Sequence, residues 1–346
     1  MTVLRVLYVG DGGDPERLSK ALEAAGGSIL IDYRISKVSL GVATSRRHWH
    51  YFKMAWFAAF RGRNYDKIFF WQQYIGLYYY AIITVLPILR RSYIVYYIIA
   101  KKRKSFVGRI VEKQFTGMVI ASEKSYFMSS SDYLFRKLNI TEYRNRIELL
   151  NELDLTYPYI DLHRNSGISG EYIFAGGSGN RKYADVAAIA VTLPAERFVV
   201  ACRLDDVARI SFSKNVAVHY DAYGDRFADL ILHSKAVLLP LADPDVMSGQ
   251  LVCIQAFAAN KTVIISENNC LRDWIATIDQ LDFVTLYQTI EECVDHIRGL
   301  DLPKALEAGG RARRFYDDTL TNTGFYERLA TQIAASARSV AVVGAP

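Results

Sequence analysis

The first of two short loops whose residue types suit phosphate binding follows an apolar run in the second half of the chain. Gly176 and Gly177 end this run, and Arg181 stands just before a segment with helical spacing. Glycines let backbone amides approach an anion, and a helix amino terminus adds partial positive charge. An arginine can bind two oxygens at once. This pattern is typical of an anion site, although two glycines after a strand also form ordinary tight turns.

The second loop lies within LLPLADPDVMSGQLVCIQAFAANKTVI, which covers residues 238–264. Ser248, Gly249 and Gln250 precede a helical pattern, so they either bind an anion or cap the helix as an N-terminal serine commonly does. Both loops come at strand-to-helix junctions of one predicted sheet, where open α/β sheets bind ligands. Their convergence favours a diphosphate site.

The elements that position these loops alternate regularly between strand and helix. Such alternation, with mostly apolar strands, is typical of parallel sheets covered on both faces. The chain has 346 residues, which is enough for two domains. Residues 156–169 contain Pro, Asn, Ser and Gly with mixed charge and are interpreted as a linker. We therefore predict an α/β chain with two doubly wound, Rossmann-like domains, residues 1–155 and 170–346, facing a cleft.

Acidic side chains in the first half are the candidates for a catalytic base. Asp11 and Asp14 lie in the glycine-containing loop after the first predicted strand, and Glu123 follows a run, TGMVIAS, that we predict to be a strand. A carboxylate at the carboxyl end of a strand would face the expected cleft. The alternative for each is a helix cap or a solvated loop charge. Asp11 is the first choice and Glu123 the second.

Positive charge and aromatic residues are concentrated in residues 45–104. This segment holds twelve Lys or Arg against one acid, a balance of +11 in a chain of net charge +6, and 17 aromatic residues. Trp49, Phe52, Trp56 and Phe60 recur at helical spacing, which predicts a helix lying in an anionic membrane interface. The predicted membrane-surface residues are Arg46, Arg47, Trp49, Lys53, Trp56, Lys101, Lys102, Arg103 and Lys104.

The alternatives for this basic segment are a core helix with solvated ends and a nucleic-acid surface. Nucleic acid is disfavoured because the aromatic residues follow helical periodicity and no nucleic-acid motif is present. His48 and His50 are predicted to have a lipid-headgroup or surface role rather than to be metal ligands, since they lie on different helix faces. The apolar run 74–89 is too short to span a bilayer and predicts a core helix.

The cysteines and the amino terminus bear on location. Four cysteines without metal-binding spacing predict buried, reduced thiols, and the first residues read as a strand rather than a secretory signal. We therefore expect a cytoplasmic protein, held peripherally and monotopically at the inner face of the cell membrane.

The second half resembles the donor domain of GT-B glycosyltransferases, in particular the family 4-like group. The likeness covers residues 170–320, and the first half resembles the acceptor domain in its strand-loop-helix order and its Gly12-Gly13 loop. The residues that carry the resemblance are Phe174-Ala175-Gly176-Gly177, Arg181, Pro240, Ser248-Gly249-Gln250, Ala256-Phe257-Ala258, Lys261 and Val263-Ile264.

This resemblance implies a bacterial polysaccharide glycosyltransferase, hexosyl- or uronosyl-transferring, of the type that includes xanthan glucuronosyltransferases. It implies a nucleotide-sugar donor, UDP in preference to GDP, a lipid-linked or glycan acceptor, and neither a cofactor nor a divalent metal. Gly12 and Gly13 would contact the acceptor. The implied donor residues are Gly176, Gly177, Arg181, Tyr220, Ser248, Gly249, Gln250 and Gln255.

The chain departs from the family pattern at one pair of positions. Retaining enzymes of the family carry two glutamates around the second loop, where this chain has Met247 and Gln255. An amide is not a charged acceptor, so the stereochemical outcome stays open. A non-catalytic module that binds a nucleotide or a glycolipid is the alternative function.

Overall fold

The computed structural model describes residues 3–25, 29–35, 44–98, 106–122, 124–127, 147–149, 157–163, 170, 172–244, 246, 248–268 and 281–343. These residues form two compact units. Unit 1 contains the described residues up to 149 and those from 323 onward. Unit 2 contains the described residues from 157 to 322.

Each unit has a parallel sheet with six strands in its described part. The strands of unit 1 are β1 (Leu4–Gly10), β2 (Ile29–Ile35), β3 (Lys67–Phe70), β4 (Ser92–Ile98), β5 (Lys124–Phe127) and β6 (Ile147–Leu149), in the order β2-β1-β3-β4-β5-β6. Those of unit 2 are β7 (Ile173–Gly176), β8 (Phe198–Cys202), β9 (Val216–Tyr220), β10 (Ala236–Leu239), β11 (Thr262–Ser266) and β12 (Val284–Tyr287), in the order β12-β11-β10-β7-β8-β9.

Helices connect the strands in the predicted alternation. Those up to residue 163 are α1 (Pro15–Ala24), α2 (Thr44–Arg61), α3 (Gln73–Val85), α4 (Phe106–Ala121) and α5 (Tyr157–His163). The later ones are α6 (Tyr183–Thr192), α7 (Leu204–Val207), α8 (Asp225–Leu232), α9 (Gln250–Ala258), α10 (Ile290–Gly299), α11 (Leu302–Thr319) and α12 (Asn322–Val343). Short 3-10 turns cover Gly62–Asn64 and Pro87–Leu89.

The strand order creates one reversal point in each sheet. In unit 1 the chain turns from β1 outward to β2 and then returns to β3, on the other side of β1. In unit 2 the reversal falls between β7 and β10. Ligands of open α/β sheets bind at the carboxyl ends of the strands beside such a reversal, so the loops after β1, β3, β7 and β10 are the candidate ligand-binding loops.

The end of the chain belongs to unit 1, whereas the sequence assigned it to the second domain. Near the start of α12, Phe325 lies against the rings of Trp71 and Tyr96, with centroids 6.3 and 5.7 Å away. The backbone amide of Asp14 donates a hydrogen bond to the hydroxyl of Tyr326 at 2.8 Å. Burying two large aromatic side chains in this way is strongly favourable and fixes α12 on the loop after β1.

Two segments differ from the sequence-based expectations. Residues 116–122, predicted as a strand, are mostly the last turns of α4, so Glu123 follows a helix and itself lies outside the described residues. A short apolar run is ambiguous between helix and strand, which explains the difference. Part of the predicted linker forms α5, where Ile160 is fully buried and Asp161 pairs with Arg313 at 3.1 Å.

The apolar run 74–89 forms a core helix, as predicted. On α3, Ile75, Tyr79 and Ile83 pack into the core of unit 1. Within the described part of the chain, none of the helices combines the length and the apolar character needed to cross a bilayer. Cys202 and Cys293 are buried free thiols, Cys253 is also buried, and Cys270 lies outside the described residues.

Candidate functional site

The loop after β7 wraps around the side chain of Arg181. The guanidinium donates from Nε to the carbonyl of Gly176 at 2.9 Å and from Nη1 to the carbonyl of Gly179 at 2.6 Å. Gly177 has φ +103°, and a Cβ there would lie 2.9 Å from Nη2 of Arg181. Only glycine fits this left-handed position beside the guanidinium without strain. The loop thus holds a positive charge at the carboxyl end of β7.

Asn180 joins this loop to the loop after β10. Its Nδ2 donates to the carbonyl of Asp243 at 2.8 Å and to the hydroxyl of Ser248 at 2.9 Å, and its Oδ1 accepts from the amide of Asp243 at 2.8 Å. Its φ of +53° is one that asparagine tolerates better than most residues. The sequence alone does not reveal the role of Asn180, because no local pattern shows contacts that span more than sixty residues.

The loop after β11 is hydrogen-bonded to the loop after β10. Asn268 donates from Nδ2 to the carbonyls of Asp243 and Val246, both at 3.2 Å. Ser266 accepts a hydrogen bond from the amide of Leu241 at 2.7 Å. The loops that follow β7, β10 and β11 are therefore held in one arrangement by side-chain amides and a hydroxyl, as a preorganised site requires.

The amino terminus of α9 opens into this arrangement without a side-chain cap. Gly249 is the N-cap residue with φ +94°, and no side chain in the described part of the chain caps the helix. The hydroxyl of Ser248 accepts a hydrogen bond from Asn180 instead. The alternative that Ser248 is an ordinary N-cap is therefore wrong. Gln250 is 4% exposed, and its Nε2 has no hydrogen-bond partner among the described residues. Uncapped helix amides and a buried amide donor form an electropositive place for an anion.

The other residues named for the donor lie farther from this centre. Gln255 is buried in the second turn of α9, and Tyr220 ends β9, two strands away from β7. Lys261, part of the family-like motif, directly precedes β11. It therefore lies at the amino end of that strand, opposite the loops at the carboxyl ends. Burial lowers the pKa of its amine to about 8. Met247 lies outside the described residues.

We expect Asn180→Gly to weaken donor binding as well as stability. Glycine keeps the positive φ but loses the side-chain hydrogen bonds, each worth about 0.5 to 1.5 kcal/mol. The matched control is Asn215→Gly, because the Nδ2 of Asn215 similarly joins the carbonyls of Ala190, Leu193 and Glu196, away from the loops. Both variants should have a lower thermal unfolding temperature than the wild type. UDP titration should show weaker binding for Asn180→Gly alone. Equal UDP affinity in the two variants would contradict this role.

In unit 1, Asp11 and Asp14 have different surroundings. The carboxylate of Asp11 accepts a hydrogen bond from the hydroxyl of Tyr51 at 2.6 Å. Partial burial and this bond raise the pKa of Tyr51, so the tyrosine remains a proton donor to Asp11. Asp14 caps α1 by accepting from the amide of Arg17 at 2.9 Å. Asp14 therefore has a structural role, and Asp11 is the carboxylate available at the carboxyl end of β1.

His48 is half-buried and packs beside this site. Its ring lies edge-on to that of Tyr74, with centroids 4.9 Å apart, and its Nδ1 is 3.0 Å from the hydroxyl of Tyr78. Tyr51 stacks on Tyr74 with centroids 6.2 Å apart. Aromatic side chains from α2 and α3 thus line the place where Asp11 lies.

Gly12 and Gly13 shape the loop after β1, and we expect Gly13→Ala to be strongly destabilising. Gly13 has φ +80°, and its added Cβ would lie 2.2 Å from the hydroxyl of Tyr8. Left-handed strain and overpacking together predict a loss of about 2 to 5 kcal/mol in the free energy of unfolding. Gly12→Ala is the control, because its Cβ would meet Trp71 at 3.3 Å with no left-handed φ. Urea unfolding measures the free energy of unfolding of both variants. Equal losses of that free energy in Gly12→Ala and Gly13→Ala would contradict the prediction.

Four aromatic residues of α2 form a continuous row, in which Trp49, Trp56 and Phe60 are exposed and Phe52 is half-buried against the core of unit 1. Ring centroids are 5.5 Å apart for Trp49 and Phe52, 6.2 Å for Phe52 and Trp56, and 5.1 Å for Trp56 and Phe60. Trp49 is 57% exposed and Trp56 is 42% exposed. We call Trp49, Phe52, Trp56 and Phe60 the aromatic row.

Cations accompany the aromatic row. Lys53 lies over the ring of Trp49 at 5.4 Å, Arg46 is exposed and Arg47 is half-buried. The predicted helix at this position is present. The remaining basic residues of the predicted patch, Lys101, Lys102, Arg103 and Lys104, lie outside the described residues.

Comparison with known proteins gives matches among solved structures. No family model and no curated protein matches the chain. The chain is similar to HepE from Anabaena in complex with UDP and glucose, with a TM-score of 0.65 and 11% identity over 96% of this chain and 100% of that one. It is similar to a UDP-forming α,α-trehalose-phosphate synthase from Burkholderia vietnamiensis, with a TM-score of 0.65 and 10% identity over 100% and 99% of the two chains.

A third similar structure is WaaG, a glycosyltransferase involved in lipopolysaccharide biosynthesis. Its TM-score is 0.61 at 12% identity, over 95% of this chain and 99% of that one. These likenesses establish the fold. The chain has the GT-B fold, and the predicted α/β class with two Rossmann-like domains is confirmed.

Proposed function

We propose that this protein is a glycosyltransferase that takes a sugar from a nucleotide-sugar donor. The observation that carries the proposal is the amino terminus of α9, which no described side chain caps, at the reversal point of the unit 2 sheet. Arg181 lies beside it, as does the buried Nε2 of Gln250, which has no hydrogen-bond partner among the described residues. A diphosphate satisfies these donors and has the matching charge. HepE in complex with UDP and glucose, which shares the fold, supports a nucleotide-sugar ligand.

The same groups would assist the chemistry. As the bond between the sugar and the diphosphate breaks, negative charge grows on the leaving phosphate. Arg181 and the helix amides stabilise charge that develops in the transition state, and we propose that they do so without a divalent metal. Asp11, oriented by Tyr51, would accept the proton of the acceptor hydroxyl in an inverting reaction.

We further propose a lipid-linked acceptor and a peripheral position at the inner face of the cell membrane. The aromatic row exposes rings that are costly to leave in water, and Lys53 and Arg46 stand beside it. Such a helix is suited to the interface of an anionic bilayer. Surface polysaccharide assembly uses acceptors located there, and WaaG, which has a lipopolysaccharide role, shares the fold.

UDP is the preferred nucleotide in this proposal, because the structurally similar proteins include UDP complexes. The second candidate is a binding module without turnover. It is favoured by the absence of carboxylates at Met247 and Gln255, the positions where retaining relatives carry glutamates. The ordered loops and the hydrogen-bonded Asp11 favour the enzyme.

The experiment that tests the proposal supplies the purified protein with UDP- and GDP-sugars and with lipid-linked saccharides of bacterial membranes. Released nucleoside diphosphate and extended lipid-linked product are measured together. We expect both products with a UDP-sugar. Nucleotide binding without either product, across the donors and acceptors supplied, would favour the binding module.

Membrane attachment gives a separate prediction. Replacing Trp49 and Trp56 by alanine should weaken binding to anionic vesicles by about 100-fold, because each exposed ring contributes about 1.5 kcal/mol when buried. Val191→Ala with Leu204→Ala is the control, since both side chains are apolar and exposed but lie on unit 2. Vesicle co-sedimentation at low and high salt measures the effect. Equal binding by the two double variants would contradict the assignment of the aromatic row.

A further inference from the structure

A cavity of about 400 Å³ lies in unit 1 beside the edge strand β2. Residues of β1, β2, the last turns of α2 and the turn before β3 line it. We call it the edge cavity. Its polar and aromatic lining residues are Asp32, Tyr33, Arg34, Phe57, Arg61 and Tyr65.

The edge cavity is separate from the site at the carboxyl ends of the strands. Leu7 of β1, which also lines it, is opposite Asp32, and Gly10 is opposite Ile35. At 3.3 Å per residue, Leu7 lies about 10 Å along the sheet from the end of β1. Asp11 and Tyr51 do not line it. Its function is therefore distinct from glycosyl transfer itself.

Two arginines give the edge cavity its positive charge. Arg34 lies over the ring of Phe57 at 5.4 Å, and Arg61 lies beside the hydroxyl of Tyr65. Among the described residues, neither guanidinium forms an ion pair with a carboxylate. Both retain donors for a ligand, and guanidinium groups bind phosphate oxygens in pairs.

Asp32 is a hydrogen-bond acceptor in the edge cavity, and an unsubstituted phosphate does not supply the hydroxyl donor that it needs. The hydroxyl of Tyr65 donates to Oδ2 of Asp32 at 2.6 Å. Partial burial and this bond raise the pKa of Tyr65, which keeps the proton in place. Asp32 retains lone pairs that accept hydrogen bonds from a second group. A ligand with a phosphate for the arginines and a neighbouring hydroxyl for Asp32 satisfies the whole lining.

The position of the edge cavity indicates a lipid as the source of that phosphate. Phe57 lines the cavity, is half-exposed, and directly follows Trp56 of the aromatic row on α2. Arg61 follows Phe60, the last member of the row. A phospholipid headgroup in the cavity would leave its acyl chains beside the exposed rings, where an interfacial helix meets the hydrocarbon.

We propose that the edge cavity binds the headgroup of an anionic glycerol phospholipid, with its phosphodiester on Arg34 and Arg61 and a headgroup hydroxyl on Asp32. This inference rests on the proposed docking of the aromatic row to a membrane. It adds recognition of a single lipid to that general attraction. Phosphatidylglycerol has this combination of groups.

The test uses the full chain and monomeric dioctanoyl phosphatidylglycerol in calorimetry, with thermal unfolding as the check of folding. We expect one lipid per chain for the wild type and an affinity about 100-fold lower for Arg34→Gln with Arg61→Gln, since charge-assisted bonds are lost at both positions. The matched control, Arg63→Gln with Arg109→Gln, removes the same charge from exposed positions outside the cavity. The affinity of this control for the lipid should stay within about twofold of that of the wild type, because screening weakens distant exposed charges.

A second variant, Arg34→Lys with Arg61→Lys, keeps the charge and removes the paired donors. It should bind phosphatidylglycerol vesicles almost as the wild type does, yet bind the monomeric lipid weakly. Three results would overturn the proposal: equal losses in the glutamine variant and its control, no binding of the monomeric lipid by the wild type, or inorganic phosphate binding as tightly as the lipid. UDP affinity of the same variants tests the proposed function independently, since the edge cavity shares no residue with the loops of unit 2.

Discussion

Replacing Asp11 by asparagine is expected to lower kcat for transfer to a lipid-linked acceptor by about 100- to 10,000-fold, the usual contribution of a general base. Asparagine has nearly the same shape, and its Oδ1 still accepts the hydrogen bond from Tyr51. What is lost is the charge that takes up a proton. The protein should therefore fold and bind UDP normally while turnover falls.

The control for this variant is Asp14→Asn in the same loop. Asp14 caps α1, and asparagine is an equally good N-cap residue, so turnover should not change. Steady-state kinetics at saturating donor and acceptor compare the two variants. Normal turnover by Asp11→Asn would show that another group accepts the proton, with Glu123 the next candidate.

Replacing Arg181 by alanine is expected to weaken UDP binding by about 10- to 100-fold, since a hydrogen bond to a charged group contributes about 1.5 to 3 kcal/mol. The change also removes the bonds to the carbonyls of Gly176 and Gly179. Arg181→Lys separates the loss of charge from the loss of these bonds, because lysine keeps the charge and lacks the paired N–H donors of the guanidinium. Its UDP affinity should fall between those of the wild type and the alanine variant.

The neighbouring cation provides the control for Arg181. Lys182 is exposed and pairs with Asp185 at 3.0 Å. An exposed ion pair contributes little to stability, so Lys182→Ala should bind UDP like the wild type. Calorimetry gives both affinities. Unchanged UDP affinity in Arg181→Ala would remove Arg181 from the donor site.

The positions of the two unit 2 loops were predictable because they follow from local features of the sequence. Glycines after a strand, an arginine before a helix and a Ser-Gly-Gln turn can each be read in a few consecutive residues. Asn180 and Asn268 were not predictable, since their hydrogen bonds join loops that are distant in the sequence. The fold brings these loops together, and one sequence read alone does not show which side chains then meet.

In unit 1, the limits arose from ambiguous apolar segments and from long-range packing. Residues 116–122 fit a buried strand or a buried helix equally well, and the structure shows that they mostly continue α4. Phe325 and Tyr326 are ordinary apolar positions of a terminal helix, and only their contacts with Trp71 and Asp14 show which unit they stabilise. The edge cavity was missed because Arg34 and Arg61 are distant in the sequence and meet only in the folded unit.

The central claim is that the loops after β7, β10 and β11 bind the diphosphate of a nucleotide sugar. Calorimetric titration of the wild type with UDP, uridine and inorganic diphosphate tests it most directly. We predict that UDP binds and that uridine, which lacks the phosphates, binds at least about 10-fold more weakly, with the difference reduced in Arg181→Ala because the α9 amides and Gln250 remain. Equal affinity for uridine and UDP, or no binding of UDP, would contradict the claim.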